Sequence, residues 1–155
     1  MNVGFSGTQE GMTTAQKNTL MYLLRQIKDT GDSINVVNTL RHGRCVGADE
    51  EAGIIAMSLG FNVYAYPGDN LMKRSTKPCY HTSYPPQGNL ARNKEIVKHS
   101  EILIATPKDY ERPTNLRGQG TWTTIHYASQ KHIPRYIILP DGGWSMESKS
   151  EVSAL

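Results

Sequence analysis

Residues 90–107 read LARNKEIVKHSEILIATP, a stretch that changes its hydrophobic period midway. The first part is helical in pattern, from about Asn89 to Lys98, and the second is a buried strand, Glu101 to Thr106, stopped by Pro107. A helix leading straight into an apolar strand is half of a crossover unit, and the same alternation extends in both directions along the chain.

Upstream, Asn2 to Ser6 reads as the first strand. A helix follows from about Thr13, where Thr13 and Gln16 have capping-box spacing and Leu20, Leu23, Leu24 and Ile27 share one face. Gly31 is expected just beyond its end. Ile34 to Leu40 is the expected second strand, Ala48 to Leu59 the second helix, closed by Gly60, and Asn62 to Tyr66 the third strand. Downstream, a helix from about Gly120 to Gln130 precedes a strand at Arg135 to Leu139. Strands separated by helices imply parallel crossovers, hence an α/β, doubly wound, mainly parallel sheet of five or more strands with helices on both faces.

Two segments fall outside this rhythm. Residues 67–88 carry four prolines and are long for a connection in a compact domain, which makes them either a lid or a surface excursion. The domain is expected to span residues 1–140; the polar tail 141–155 is expected to be ordered only if Trp144 docks.

Composition excludes several functional classes. The chain of 155 residues is 37% hydrophobic, enough for one core, and has no apolar run of about 18 residues, so no membrane span is expected. The start, MNVGFSGTQEG, lacks the charged and apolar regions of a signal peptide, and a cytoplasmic location is the expectation. Cys45 and Cys79 lie far apart and are read as reduced thiols. The five histidines show no HExxH or HxxxH spacing; neither a metal nor a cofactor is expected. A net charge of +3 without a basic block does not signal nucleic-acid binding and suits a small anion.

In a doubly wound sheet the ligand gathers beyond the C-terminal strand ends, where helix N-termini present free amides. Four such loops are distinctive. In GFSGTQEGMT, Ser6, Gly7 and Thr8 offer close backbone approach and hydroxyls. In RHGRCVGADEEA, Asp49 is placed to accept from ribose hydroxyls, Gly47 and Ala48 leave room for the sugar, and Arg41 supplies nearby charge. The acids Asp49, Glu50 and Glu51 also make ordinary helix starters, and they repel phosphate from this helix end. Arg92, with Asn93 beside it, sits in a first helical turn, where a cation opposes the helix dipole and an anion would relieve it; Thr106 ends the following strand. In RGQGTWTTIHYA, Gly118, Gly120 and Thr121 open a helix as a phosphate cradle, Arg117 flanks it, and Trp122 offers a flat face for a base, as do Tyr80 and Tyr84 of the long loop.

Taken in order, GFSGTQEGMT, HGRCVGADEEA, LARNKEIVKHSEILIATP and RGQGTWTTIHYA resemble the SLOG superfamily, Rossmann-like proteins that include the DNA-processing protein A and LONELY GUY groups. The likeness covers about residues 2–140 and is closest to small stand-alone members, some of them phage-borne. It implies a nucleotide-derived ligand with phosphate at Gly118, Gly120 and Thr121, and a homo-oligomer, since small domains of this kind complete pockets across a two-fold axis.

The superfamily contains phosphoribohydrolases and non-hydrolysing sensors of signals such as ADP-ribose-type or cyclic nucleotides. The hydrolases carry P-G-G-x-G-T-x-x-E; here the glutamate position is Thr124, which is no general acid or base at neutral pH. His126, two residues on, points roughly 200° away around the helix. No catalytic residue is therefore expected. The expectation is a protein that binds a nucleotide-derived molecule without turnover, as a sensor or a sequestering sponge. The alternatives are a nucleotide N-glycosidase using Asp49 or Glu51, and a DNA-associated module.

Overall fold

The computed structural model describes residues 1–149. The elements in chain order are β1 (Asn2–Gly7), α1 (Thr14–Ser33), β2 (Thr39–His42), α2 (Ala48–Ser58), β3 (Asn62–Ala65), β4 (Thr82–Ser83), α3 (Asn89–Lys98), β5 (Ile102–Thr106), α4 (Gly120–Gln130), β6 (Arg135–Ile138) and β7 (Trp144–Glu147). The strands form one seven-stranded sheet in the order β4-β3-β2-β1-β5-β6-β7. Every neighbouring pair is parallel except β6 and β7, which run antiparallel. The fold is Rossmann-like, and the chain reverses its direction of travel across the sheet between β1 and β5.

Alternation along β5 builds the two cores. Ile104 joins Val3, Phe5, Leu40 and Val63 under α1 and α2, while Leu103 and Ala105 join Ile125 and Ala128 under α4. The run read as a buried strand is thus apolar because both of its faces are covered.

The α1 capping box forms: Thr13 accepts from Gln16 N at 3.0 Å and Gln16 accepts from Thr13 N at 3.0 Å. Such a cap contributes about 1 kcal/mol. The same side chains reach far along the chain. Gln16 Nε2 donates to Pro107 O at 2.9 Å and to Ile138 O at 3.0 Å, Thr13 Oγ1 donates to Pro140 O at 2.7 Å, and Thr19 Oγ1 donates to Gly142 O at 2.7 Å.

Two expectations are corrected. Gly31 does not end α1 but lies buried within it, because a Cβ there would sit 2.1 Å from Asn38 Oδ1. The second strand is not Ile34 to Leu40: Ile34 caps α1, Asn35 has φ 56°, and Ile34, Val36 and Val37 are exposed. The strand is Thr39–His42. The segment after Pro140 supplies β7, whose Trp144 ring lies 5.7 Å from that of Tyr136. Residues 150–155 of the expected tail lie outside the described residues.

The long connection 67–88 is pinned along its length. It holds a 3-10 turn, Leu71–Lys73, and the short edge strand β4. Ser75 and Cys79 are fully buried; Ser75 Oγ donates to Glu50, and His42 Nε2 donates to Cys79 O at 2.8 Å. Gly53 of α2 makes room for this packing, since a Cβ there would meet Cys79 O at 2.1 Å.

Candidate functional site

A cleft of about 300 Å³ opens at the C-terminal ends of β1 and β5, where the winding reverses. This is the place where doubly wound sheets expose loops to a ligand. Its floor comes from Ser6 and Gly7 at the end of β1, Thr8 just beyond it, and Pro107 and Lys108 after β5. Cys45 and Asp49 enter from the start of α2, Arg92 and Asn93 from α3, and Gly118, Gly120, Thr121 and Trp122 from the start of α4.

Arg92 is 7% exposed, which is rare for arginine without partners. Its Nη1 donates to Gly43 O at 2.7 Å and Tyr66 O at 3.2 Å, and its Nε donates to Asn93 Oδ1 at 2.7 Å. Gly43 is glycine for this reason, because a Cβ there would lie 2.5 Å from Arg92 Nη1. The carbonyls offset part of the unfavourable dipole position; Nη2 makes no hydrogen bond among the described residues.

The start of α4 is open. No side chain caps it, and the first inward amide is that of Thr123, donating to Gln119 O at 2.8 Å. The amides of Gly120, Thr121 and Trp122 have no acceptor among the described residues, which leaves them available to an anion. A Cβ at Gly118 or Gly120 would touch nothing within 4 Å, so these glycines face empty space. Gly118 also has φ +73°.

The start of α2 is closed by contrast. Ala48 is fully buried and its amide donates to Thr8 O at 3.0 Å, while a Cβ at Gly47 would lie 2.3 Å from Gln9 O. Asp49 is 5% exposed; Oδ2 accepts from Cys45 N at 3.2 Å, and Oδ1 is buried without a partner. Thr106 is fully buried with Oγ1 unpartnered, and it lies beside Gly7, where a Cβ would approach that oxygen to 2.3 Å. Gly7 thus lines the cleft while its missing side chain makes room for Thr106 and Ala48.

Other residues named from the sequence lie elsewhere. Arg41 does not line the cleft: Nη1 donates to Tyr66 Oη at 2.6 Å, Nη2 to Asn2 Oδ1 at 3.1 Å, and the guanidinium lies 4.9 Å from the Tyr64 ring centre. Arg117 is exposed and outside the lining. Glu51 accepts from Met12 N at 2.7 Å and pairs with Lys17 at 3.0 Å, turning away from the cleft. Trp122 is 7% exposed and packs in the core under α4, Tyr80 lies under the Arg44 guanidinium at 4.7 Å, and Tyr84 stacks on Tyr64 at 5.9 Å. Thr124 is 1% exposed and donates to Gly120 O at 2.9 Å.

The sequence reading missed Cys45 and Lys73. Lys73 reaches the rim because Val46 N donates to its carbonyl at 2.9 Å, a contact between distant segments that no local pattern announces. Cys45 has its thiol pushed up to about 12, first by burial and then by the Asp49 carboxylate, so it stays protonated and is a poor nucleophile. His42, fully buried, is held below its usual range chiefly by burial; its Nδ1 accepts from Arg44 N at 2.9 Å. Among the described residues no group of three His, Cys, Asp or Glu is placed to hold a metal, and no helix is long and apolar enough to cross a membrane.

No protein family and no curated protein matches the chain by sequence. Solved structures do match its shape. The molybdenum cofactor binding protein from the phototrophic bacterium Rippkaea orientalis has a TM-score of 0.64 at 21% identity, covering 89% of this chain and 76% of that one. The X-ray structure of TM1055 gives 0.63 at 13% identity, covering 86% and 71%. The Moco carrier protein from Chlamydomonas reinhardtii gives 0.56 at 17%, covering 90% and 75%. At these identities the likeness establishes a shared Rossmann-like fold.

Proposed function

We propose that the chain binds a small phosphate-bearing molecule derived from a nucleotide and releases it unchanged, as a sensor or sequestering protein of the SLOG type. The observation that carries this reading is the pairing, in one cleft, of buried Arg92 with the uncapped start of α4. A guanidinium and three free amides are a chemistry for anions.

Binding without turnover is supported by where the candidate acids sit. Thr124 is buried and bonded to Gly120 O, and Glu51 is occupied by Met12 and Lys17. Two structures of similar fold belong to proteins named for binding or carrying the molybdenum cofactor, which fits a carrier role and adds that cofactor to the ligands worth testing. The second reading, an N-glycosidase, is favoured by one observation, a carboxylate in the cleft lining, Asp49, whose buried Oδ1 has no partner.

Mass spectrometry of the small molecule released by denaturing the purified protein tests both. An intact phosphate ester or cofactor, recovered unchanged after long incubation and lost in Arg92→Met, supports the proposal. Accumulation of free base or sugar phosphate, abolished in Asp49→Asn, would replace it with the hydrolase.

A further inference from the structure

At one edge of the sheet a row of backbone groups has no partner among the described residues. We infer that β7 pairs antiparallel with β7 of a second copy of this chain, in the register that sets Trp144 against Met146 of that copy. The inference stands apart from the ligand reading, because neither β6 nor β7 contributes a residue to the cleft lining.

The two edges of the sheet are built differently. Native sheets protect an edge by keeping its strand short or by placing proline or lysine on it. The β4 edge follows this rule: it is two residues long, Thr82–Ser83, and Pro85 and Pro86 come directly after Tyr84. The β7 edge does not. Its strand, Trp144–Glu147, is four residues long, reads WSME with neither proline nor lysine, and is exposed along its whole length.

The pairing with β6 shows which groups are free. Leu139 N donates to Gly143 O at 2.8 Å, and the register places Ile137 opposite Ser145 and Arg135 opposite Glu147. Hydrogen-bonded and non-hydrogen-bonded pairs alternate in an antiparallel ladder. Ser145 and Glu147 therefore bond back to β6, while the N–H and C=O of Trp144 and Met146 point outward. The side chains of these same two residues, 45% and 50% exposed, stand on one face with Tyr136. Free backbone groups beside a half-exposed apolar face fit an added strand that is itself apolar on that face.

A second copy supplies such a strand. Across a two-fold axis normal to the sheet, opposed residues share a face. Centring the pair on Ser145 sets Trp144 against Met146 in both directions, indole against thioether, and bonds the outward backbone groups of both. Glu147 then faces Gly143 of the other copy and not a second carboxylate. Centring on Met146 would instead lay Trp144 against Ser148, an apolar side chain on a polar one, and would need the chain beyond the strand.

Analytical ultracentrifugation of the full chain over a range of concentrations tests this, with circular dichroism as the control of fold. The parent should sediment as a dimer. Met146→Pro removes an outward N–H without touching the bonds to β6 and should give a folded monomer. Ser145→Lys and Ser145→Asp each set like charges directly opposite one another; each should weaken the dimer by about tenfold or more, and their equimolar mixture should restore it. Mixing would not rescue a chain that had failed to fold. A parent that stays monomeric would leave this edge to a strand from elsewhere and overturn the inference, as would a folded Met146→Pro that dimerises like the parent. A Ser145→Lys dimer tighter than the parent would set Ser145 against Glu147 and overturn the register.

Discussion

Two glycine-marked helix starts look alike in the sequence and differ in the fold. Before α2, Gly43 and Gly47 are crowded, with Arg92 Nη1 and Gln9 O at 2.5 and 2.3 Å from where a Cβ would be. Before and at the start of α4, Gly118 and Gly120 have nothing within 4 Å. Glycine in the first place lets protein approach protein; in the second no neighbouring protein atom requires it, which is what the proposed anion site needs. A glycine-rich loop is therefore a phosphate signal only when its missing side chains point at a void.

The crowded side should break first. Gly53→Ala forces a methyl to within 2.1 Å of Cys79 O and 2.7 Å of His42 Nε2, and should cost about 3 kcal/mol by prising the long connection off α2. Chemical denaturation measures it; a loss under about 1 kcal/mol would show that the packing there yields.

Acid attacks the same latch. His42 is held below the usual histidine range mainly by burial, with Asp49 opposing and Arg44 and Arg92 adding to the effect. The unfolded chain thus takes up the proton more readily, so the contribution of neutral His42 is whole above pH 6.5 and is lost progressively as pH falls below it. Protonation also removes the acceptor at Nδ1 for Arg44 N. A melting temperature unchanged between about pH 7.5 and about pH 5 would contradict this.

The open side should respond weakly in stability and strongly in binding. Gly118→Ala places a side chain at φ +73° and should cost about 1 kcal/mol, all of it backbone strain. Gly120→Ala should leave stability within about 0.5 kcal/mol, because the position is helical and unobstructed, while its methyl enters the anion's space. Equal phosphate affinity in Gly120→Ala and the parent would show that the void is not the binding position.

Sequence periodicity carried most of the fold, because α3 and α4 are bounded by the same residues expected of them and Thr13 and Gln16 form the cap their spacing implied. It failed where a local signal had a distant cause. Gly31 looks like a helix stop and is a contact point for Asn38, while Ile34, Val36 and Val37 look like a strand and lie exposed around a left-handed Asn35. At the site, loop positions placed Arg92, Asp49 and the α4 glycines together at one cleft, since strand-end geometry is general. Which way a side chain turns is not general. Arg41 is engaged by Tyr66 and Asn2, and Lys73 arrives from a connection whose path no periodicity describes.

The hydrogen bonds from Thr13, Gln16 and Thr19 to carbonyls of residues 138–142 have a consequence for biosynthesis. The first helix leaves the ribosome early but cannot complete these contacts until more than a hundred further residues have been made. Contacts of such sequence separation form late and slowly. The helix must therefore wait, capped by its own Thr13 and Gln16 but not yet tethered to residues 138–142, which makes the nascent chain more exposed to aggregation than the finished one.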